Sequence, residues 1–521
     1  MDSNKIKLFI VLIIAAFAAV YLGIAAATAQ FEAIAWVLGA STLTVCLLLG
    51  RKIWLLIPLL GSLNLNLSIP SQPNTLFIAQ ILVIGFSVML LLIRKLPYRL
   101  VVTELEVWVL ITVLLIAQVY LRNPVGLSLF GGDTVGAKPY FIFAITIVST
   151  MILVGLRMPE GDVRTAIRLS ILGGLSNFGI SVAGRLFPTL GYWSGTNFDP
   201  LSSGGSNTGA AIDAGSATRR GFLMEAGTNI ALWISAFRAP LLSSFHPVWA
   251  PLILLTLAFA GLSGFRSAIA LVGLTYAIGI YYRGGFIQLF IAAMVGAAGL
   301  VLLALVNVLT PLPPNIQRSL AFLPGTWEQR YLDDAEGSTD WRVEMWQEAL
   351  TSERWIQNKM FGDGLGFTAQ ELSYQASLTE ATRTRGGMSG FDAYREGVLA
   401  AGNYHSVFVS SVRTVGYVGF FIFFIAMLRT AVHANRLIKR YRNTDHFSTC
   451  LFFGIPAIIA PIWLPFSALT FVQVASTTLG TIAMLRILQS NLPLVGASGS
   501  QVGGDEGHNG RLSSHPEHRE S

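Results

Sequence analysis

Apolar runs of nearly constant length recur along this chain and constrain its fold more than anything else in it. They lie near 8–28, 33–50, 53–67, 75–93, 104–121, 139–156, 165–184, 228–245, 248–264, 267–282, 286–308, 405–428, 448–467 and 469–488. Each is long enough, or nearly so, to cross the roughly 30 Å of hydrocarbon in a bilayer as a helix. With 53% hydrophobic residues, 12% charged ones and a mean hydropathy of +0.61, a soluble chain of 521 residues could not hide this much apolar surface. The expected fold is an all-α polytopic membrane protein with twelve to fourteen transmembrane helices, the number turning on 53–67 and 228–245.

Lysine and arginine set the expected orientation, because basic segments beside spans stay in the cytoplasm. Lys5 and Lys7, Arg51 and Lys52, the Arg94–Arg99 loop, Arg157–Arg168 and Arg429–Arg442 alternate as fourteen spans require. Both termini are then cytoplasmic, and 122–138, 185–227 and 309–404 face outward, into the periplasm if the chain sits in a bacterial inner membrane. The start also resembles a secretory signal, with a basic Met1–Lys7 and a small-residue stretch Ala25-Ala26-Ala27-Thr28-Ala29. Its apolar run is long for a signal, and spans follow at once, so an uncleaved first helix is the expectation. Cys46 and Cys450 both fall at or within spans, which points to neither a disulfide nor a thiolate metal site. The tail 489–521, rich in Gly, Ser and His, reads as disordered, and its His508, His515 and His518 as solvated rather than metal-binding. The net charge of +7 comes largely from cytoplasmic loops and calls for no nucleic acid.

Hydropathy collapses between Pro311 and Tyr404, where 13 of the 28 acidic residues gather with 8 basic ones. This divides the chain into helices with short loops over 1–308, an outer loop domain at 309–404, further spans over 405–488, and the tail. Within the loop domain, Asp340–Gln357 reads as an amphipathic helix able to lie along a bilayer surface, with Trp341, Met345, Ala349 and Trp355 roughly on one side and Trp346 near them. The Phe361-Gly362-Asp363-Gly364-Leu365-Gly366-Phe367 stretch is either a place where backbone approaches a substrate or simply a turn, and the turn is favoured. The aromatic residues here either stack on sugar rings or mark an interfacial belt.

Of seven histidines, His405 alone is expected outside; His433, His446 and His246 fall on cytoplasmic segments and three lie in the tail. Read as a helix, His405, Val409, Val412, Gly416 and Gly419 share one face. The two glycines then lie about 16 to 21 Å below the imidazole, where a neighbouring helix or a lipid tail comes close. With Asn403 as a cap, the ring sits in the first turn, where the helix dipole favours the neutral imidazole that a general base needs. The alternative is a histidine that only anchors its span. Arg266, in Ser263-Gly264-Phe265-Arg266-Ser267, lies in a tight turn between spans, too near hydrocarbon to stand alone unless it snorkels. Arg342 would reach the same interface, or be a solvated charge. Guanidinium groups suit diphosphate oxygens through planar paired donors.

His405-Ser406, nine residues, then Gly416-x-x-Gly419 resembles the histidine signature of the O-antigen ligase family, which is related to the O-antigen polymerases. The preceding long loop, with Ser338-Thr339-Asp340-Trp341-Arg342 and Gly362-x-Gly364-x-Gly366, resembles that family too, as does Arg266, although the expected leucine comes one place late, at Leu271. The match covers roughly 220–430. The resemblance implies a GT-C-like fold and a metal-independent, inverting glycosyltransferase without cofactor. On that basis His405 is the catalytic base, Ser406 beside it is a substrate-binding residue, and Arg266 and Arg342 hold the diphosphate of an undecaprenyl-linked glycan donor. The acceptor is lipid A core or another glycan.

Arg219-Arg220-Gly221-Phe222-Leu223-Met224-Glu225 resembles the polymerase segment more than its ligase counterpart, making Arg220 a candidate third phosphate contact. Glu225 either orients an acceptor or forms a loop salt bridge. Ligase-type transfer is placed slightly ahead of polymerase. A transporter or flippase of lipid-linked sugars has a similar span count, but no internal repeat is visible, and Arg238 is the notable charge away from a span end. A metal-dependent transferase would gather acids on the first outer loops, where Asp133 stands nearly alone.

Overall fold

The computed structural model describes residues 40–493 apart from 41, 67–72, 126–135, 188–218, 369, 372, 376, 378–389 and 403. The expected run at 8–28, Lys5 and Lys7, Asp133, Asn403 and the tail histidines therefore lie outside the described residues. Within them the protein is an all-α, multi-pass membrane protein, with nine helices long and apolar enough to cross a bilayer and no named strand.

In chain order the helices that matter here are α1 (Thr42–Leu63), α2 (Thr75–Leu92), α3 (Glu104–Arg122), α4 (Lys138–Gly155), α5 (Glu160–Leu186), α6 (Gly221–Phe237), α7 (Trp249–Leu262), α8 (Arg266–Leu309), α9 (Gln329–Thr351), α10 (Val407–Arg440), α11 (Phe447–Phe466) and α12 (Phe471–Asn491). Local chemistry marks several starts. Asn74 caps α2 by accepting from Phe77 N at 2.7 Å, and Thr103 with Glu106 and Thr470 with Gln473 form capping boxes on α3 and α12.

The expected runs 33–50 and 53–67 meet within one helical stretch, 42–63, whose backbone turns to φ 51° at Gly50, where a 3-10 stretch, Gly50–Leu55, begins. The run expected at 228–245 is shifted to Gly221–Phe237, which moves Arg238 from mid-span to the residue capping a helix end, its guanidinium 5.2 Å from the Trp249 ring. The runs 267–282 and 286–308 share α8, interrupted at Gly285 with φ 73° and ψ −169°. Ile269 from the first arm and Leu300 and Ala304 from the second pack against one cluster of Leu320, Ala321, Trp327 and Tyr331. A straight helix would separate Ile269 from Leu300 by about 46 Å at 1.5 Å per residue, so the chain reverses at the glycine.

The basic segments meet on one face of the bundle. Arg157 N donates to Pro97 O at 3.0 Å, Lys52 Nζ lies 2.6 Å from Asp162, and Arg429 lies 3.3 Å from Glu104. The buried Arg486 and Glu106 pair there as well. Removing one partner of such a pair strands a charge, so it fixes how α12 docks on α3 more than it adds net stability.

The opposite face, the His405 face, gathers another set of connections. Arg220 N donates to Ser263 O at 2.8 Å, Asn315 Nδ2 to Leu262 O at 3.0 Å, and Ser319 Oγ to Gly261 O at 3.0 Å. Asn123 Nδ2 donates to Asp363 O at 3.0 Å and Gly136 N to Phe367 O at 2.9 Å. The described residues at 123, 136, 220, 315, 319, 363 and 367 thus lie along the connections of one face.

Candidate functional site

His405 does not lie on a helix. The helix begins at Val407 with Ser406 as its cap, the Ser406 side chain accepting from Val409 N at 3.4 Å, and His405 precedes that cap with φ 46°. Positive φ in a residue with a side chain is uncommon and persists when the surroundings over-determine it. Here both flanks are fixed. Tyr404 is buried, its carbonyl accepts from Trp346 Nε1 at 2.7 Å, and Val407 N donates to Ser467 O at 3.0 Å.

The expected smooth stripe from His405 to Gly419 is also broken. At Gly416 the backbone turns to φ 73°, ψ 176°, and α10 divides into a first segment, 407–415, and a long second one. The Phe408 and Phe420 rings lie 5.0 Å apart although twelve residues of straight helix would separate them by about 18 Å, so the first segment folds back toward the second.

A break of this kind strands helix-end donors and acceptors, and the glycine-rich loop supplies their partners. Asp363 N donates to Arg413 O at 2.6 Å and Gly364 N to Thr414 O at 3.2 Å, while Tyr417 N and Val418 N donate to Lys359 O and Met360 O at 2.8 and 3.1 Å. Asp363 shapes that loop by accepting from Gln357 N and Asn358 N at 2.8 and 2.7 Å. Arg122 braces it from α3 by donating to Phe361 O and Gly362 O. A Cβ on Gly362 would stand 2.5 Å from Val415 N, which explains the glycine by protein packing. The greasy groove expected along Gly416 is occupied by this loop, whereas at Gly419 a neighbouring helix does come close, with Leu115 Cδ1 3.1 Å from where a Cβ would be.

The amphipathic helix forms, but over Gln329–Thr351 rather than 340–357. Its stripe faces protein. Met345 and Ala349 are fully buried with Trp355, Ile356, Leu399, Tyr404, Val409 and Val412, and Trp341 and Trp346 pack against that cluster. This packing sets Trp341 beside the imidazole, ring centroids 5.8 Å apart, and places Arg342 within electrostatic reach.

The His405 imidazole is held neutral, its pKa pushed down to about 4. Burial contributes most, followed by the positive charges of Arg342 and Arg219. The neutral form was expected from the helix dipole; with His405 ahead of the cap, desolvation and two guanidinium groups account for it instead.

Arg219 is the group that sequence reasoning missed. In the Arg219-Arg220 doublet, Arg220 is the cap of α6 and its backbone joins Ser263, while the Arg219 guanidinium lies 5.9 Å from the Phe265 ring and its charge reaches His405. Nothing in an adjacent pair says which member turns toward a site. Arg266 follows Phe265 as the first residue of α8, and Glu225 lies in the second turn of α6, its carbonyl accepting from Thr228 Oγ1 at 3.0 Å. The site therefore combines a neutral imidazole, an indole and two cations from α9 and the 219–220 link, and Arg266 is the next residue in the chain after Phe265, whose ring Arg219 covers. Among the described residues, no three His, Cys, Asp or Glu side chains are grouped as a metal site. No family model matches the chain, and no curated protein matches it.

Proposed function

We propose that this protein is an O-antigen ligase-type inverting glycosyltransferase with a GT-C-like architecture. It would act at the periplasmic face of a bacterial inner membrane, with both termini cytoplasmic, and transfer a glycan from undecaprenyl diphosphate to lipid A core or a similar acceptor. The observation that carries this reading is a neutral, strained histidine flanked by Arg342 and Arg219 on the face opposite the basic loops.

His405 takes a proton from the acceptor hydroxyl. The acceptor oxygen attacks the anomeric carbon from the side opposite the diphosphate, and the carbon–oxygen bond to the leaving group breaks with its electron pair. Arg342, Arg219 and Arg266 neutralise the charge growing on the diphosphate, the step at which preorganised donors help most. An imidazole with a pKa near 4 is a weak base; burial lowers it most, and the two guanidinium groups that lower it further are the ones an anionic donor neutralises. Donor binding thus strengthens the base for the acceptor that follows.

A polymerase that extends a lipid-linked chain shares all of this chemistry. The reading is favoured by one observation: Arg219 comes from the segment that resembles polymerases. Purified protein in liposomes, given an undecaprenyl-diphosphate glycan with and without lipid A core, separates the two, since the ligase caps the core and the polymerase lengthens the lipid-linked chain. His405→Ala should abolish transfer in either case while donor still binds, and unchanged turnover would remove the histidine from the chemistry. Chelator should leave transfer unaffected; inhibition reversed by magnesium or manganese would instead indicate a metal-dependent enzyme.

A further inference from the structure

Arg413 lies in the first segment of α10, only 5% exposed, and its Nε has no hydrogen-bond partner. A buried cation is costly, and an apolar side chain would fill the space without that penalty. Its contacts are directional. Nη1 donates to Gly364 O at 3.0 Å, and the guanidinium lies 3.5 Å from the centre of the Phe367 ring. Phe367 in turn presses on Gly402, where an added Cβ would stand 2.9 Å from two ring carbons and 3.7 Å from Arg413 Cδ. Gly402, with φ 68°, begins the link that ends in His405 at φ 46°. The side chain thus joins the 362–367 loop to the segment presenting the imidazole, while the Arg413 carbonyl accepts from Asp363 N.

We infer that Arg413, stacked on Phe367 against Gly402, is a positioning residue that holds Gly402 in place and aims His405 at the acceptor. It acts through the loop and does not touch the donor. The inference rests on the role proposed for His405.

The test uses the full chain in liposomes and the variants Arg413→Met, Arg413→Lys and Phe367→Leu, the last in case the first fails to fold. Three quantities are measured: kcat, donor Kd, and the rate at which diethyl pyrocarbonate modifies His405, followed by mass spectrometry. A misaimed base predicts kcat lowered by about 100-fold with donor affinity nearly unchanged, and faster modification as the ring loosens. Lysine keeps the charge but not the planar stack, so Arg413→Lys should recover little of the lost rate. Wild-type kcat and modification rate in Arg413→Met or Phe367→Leu, a loss confined to donor binding, or full rescue by lysine would each overturn the inference. Full turnover by His405→Ala would instead overturn the proposed function, and the modification rate would still report whether Arg413 holds the ring.

Discussion

Two long helices break at glycines with nearly the same backbone angles, Gly285 in α8 and Gly416 in α10, and put the break to different uses. Both sit at φ 73° with ψ close to 180°, a region that side-chain-bearing residues almost never occupy. Around Gly285 there is open space, nothing standing within 4 Å of where a Cβ would be. The chain simply doubles back, and Arg283 beside it satisfies Ser235 O and Ala236 O at the end of α6. At Gly416 the break is filled by the backbone of Met360 and Phe361. The same local conformation makes a reversal in one place and a socket for a loop in the other, and the histidine lies at the end of the helix with the socket.

The comparison breaks if the two glycines respond alike to a methyl group. Gly416→Ala carries both backbone strain and overlap with the Met360 carbonyl, which cannot move without giving up the hydrogen bonds that Tyr417 N and Val418 N make to this loop. The expected outcome is the largest of the set: transfer falls by more than about 100-fold, because a shift of roughly 1 Å at the base suffices for that. Assayed in liposomes beside Gly285→Ala, near-normal transfer by Gly416→Ala would show that the socket does not govern the site.

The next effect concerns what the socket supports. Arg342→Ala should weaken donor binding by about tenfold to a hundredfold, the loss typical of a charge-assisted hydrogen bond. The same variant shifts the pH profile in a fixed direction. Removing a nearby positive charge favours the protonated imidazole, so the acid limb of kcat/KM moves up from about 4 toward the ordinary histidine value near 6.5. In the wild type, the limb of kcat should lie above that of kcat/KM, because bound diphosphate opposes the same guanidinium groups. Equal limbs would argue that the arginines do not face the donor.

Much of this architecture was legible, because span length and charge sidedness are carried by composition over some twenty residues and survive errors at any one of them. The segments now gathered on the His405 face were placed together by counting loops. The break at Gly416 was not legible, since its cause is a loop more than fifty residues earlier in the chain, and a glycine on a helical face looks the same whether it is packed by a helix, a lipid or a backbone. The turn reading of 361–367 was correct for Gly362, but the turn's purpose, filling the break, is a tertiary fact. Arg219 was hidden for a different reason: adjacent residues at a helix start diverge in direction, and only the docking of Phe265 shows which one turns inward.

Arg122→Ala tests how the loop is held in the socket and should act more gently. It removes donors to Phe361 O and Gly362 O, but the four backbone hydrogen bonds between loop and broken helix remain. A loss of about fivefold to tenfold in transfer is expected, matching one or two hydrogen bonds of ordinary strength. An effect as large as that of Gly416→Ala would mean that α3, rather than the broken helix, sets the loop.

The smallest effect falls at Gly285. Alanine there meets no neighbour, so the cost is the intrinsic strain of the backbone alone, about 1–3 kcal/mol. That strain should lower the thermal midpoint of detergent-solubilised protein and leave kcat and donor affinity at wild-type values, because the reversal lies at the far end of the first arm of α8, about 28 Å of helix from Arg266. Reduced transfer by folded Gly285→Ala would mean that the two arms of α8 move together during the reaction. The second break would then be a hinge, and the contrast with Gly416 would be one of timing rather than of use.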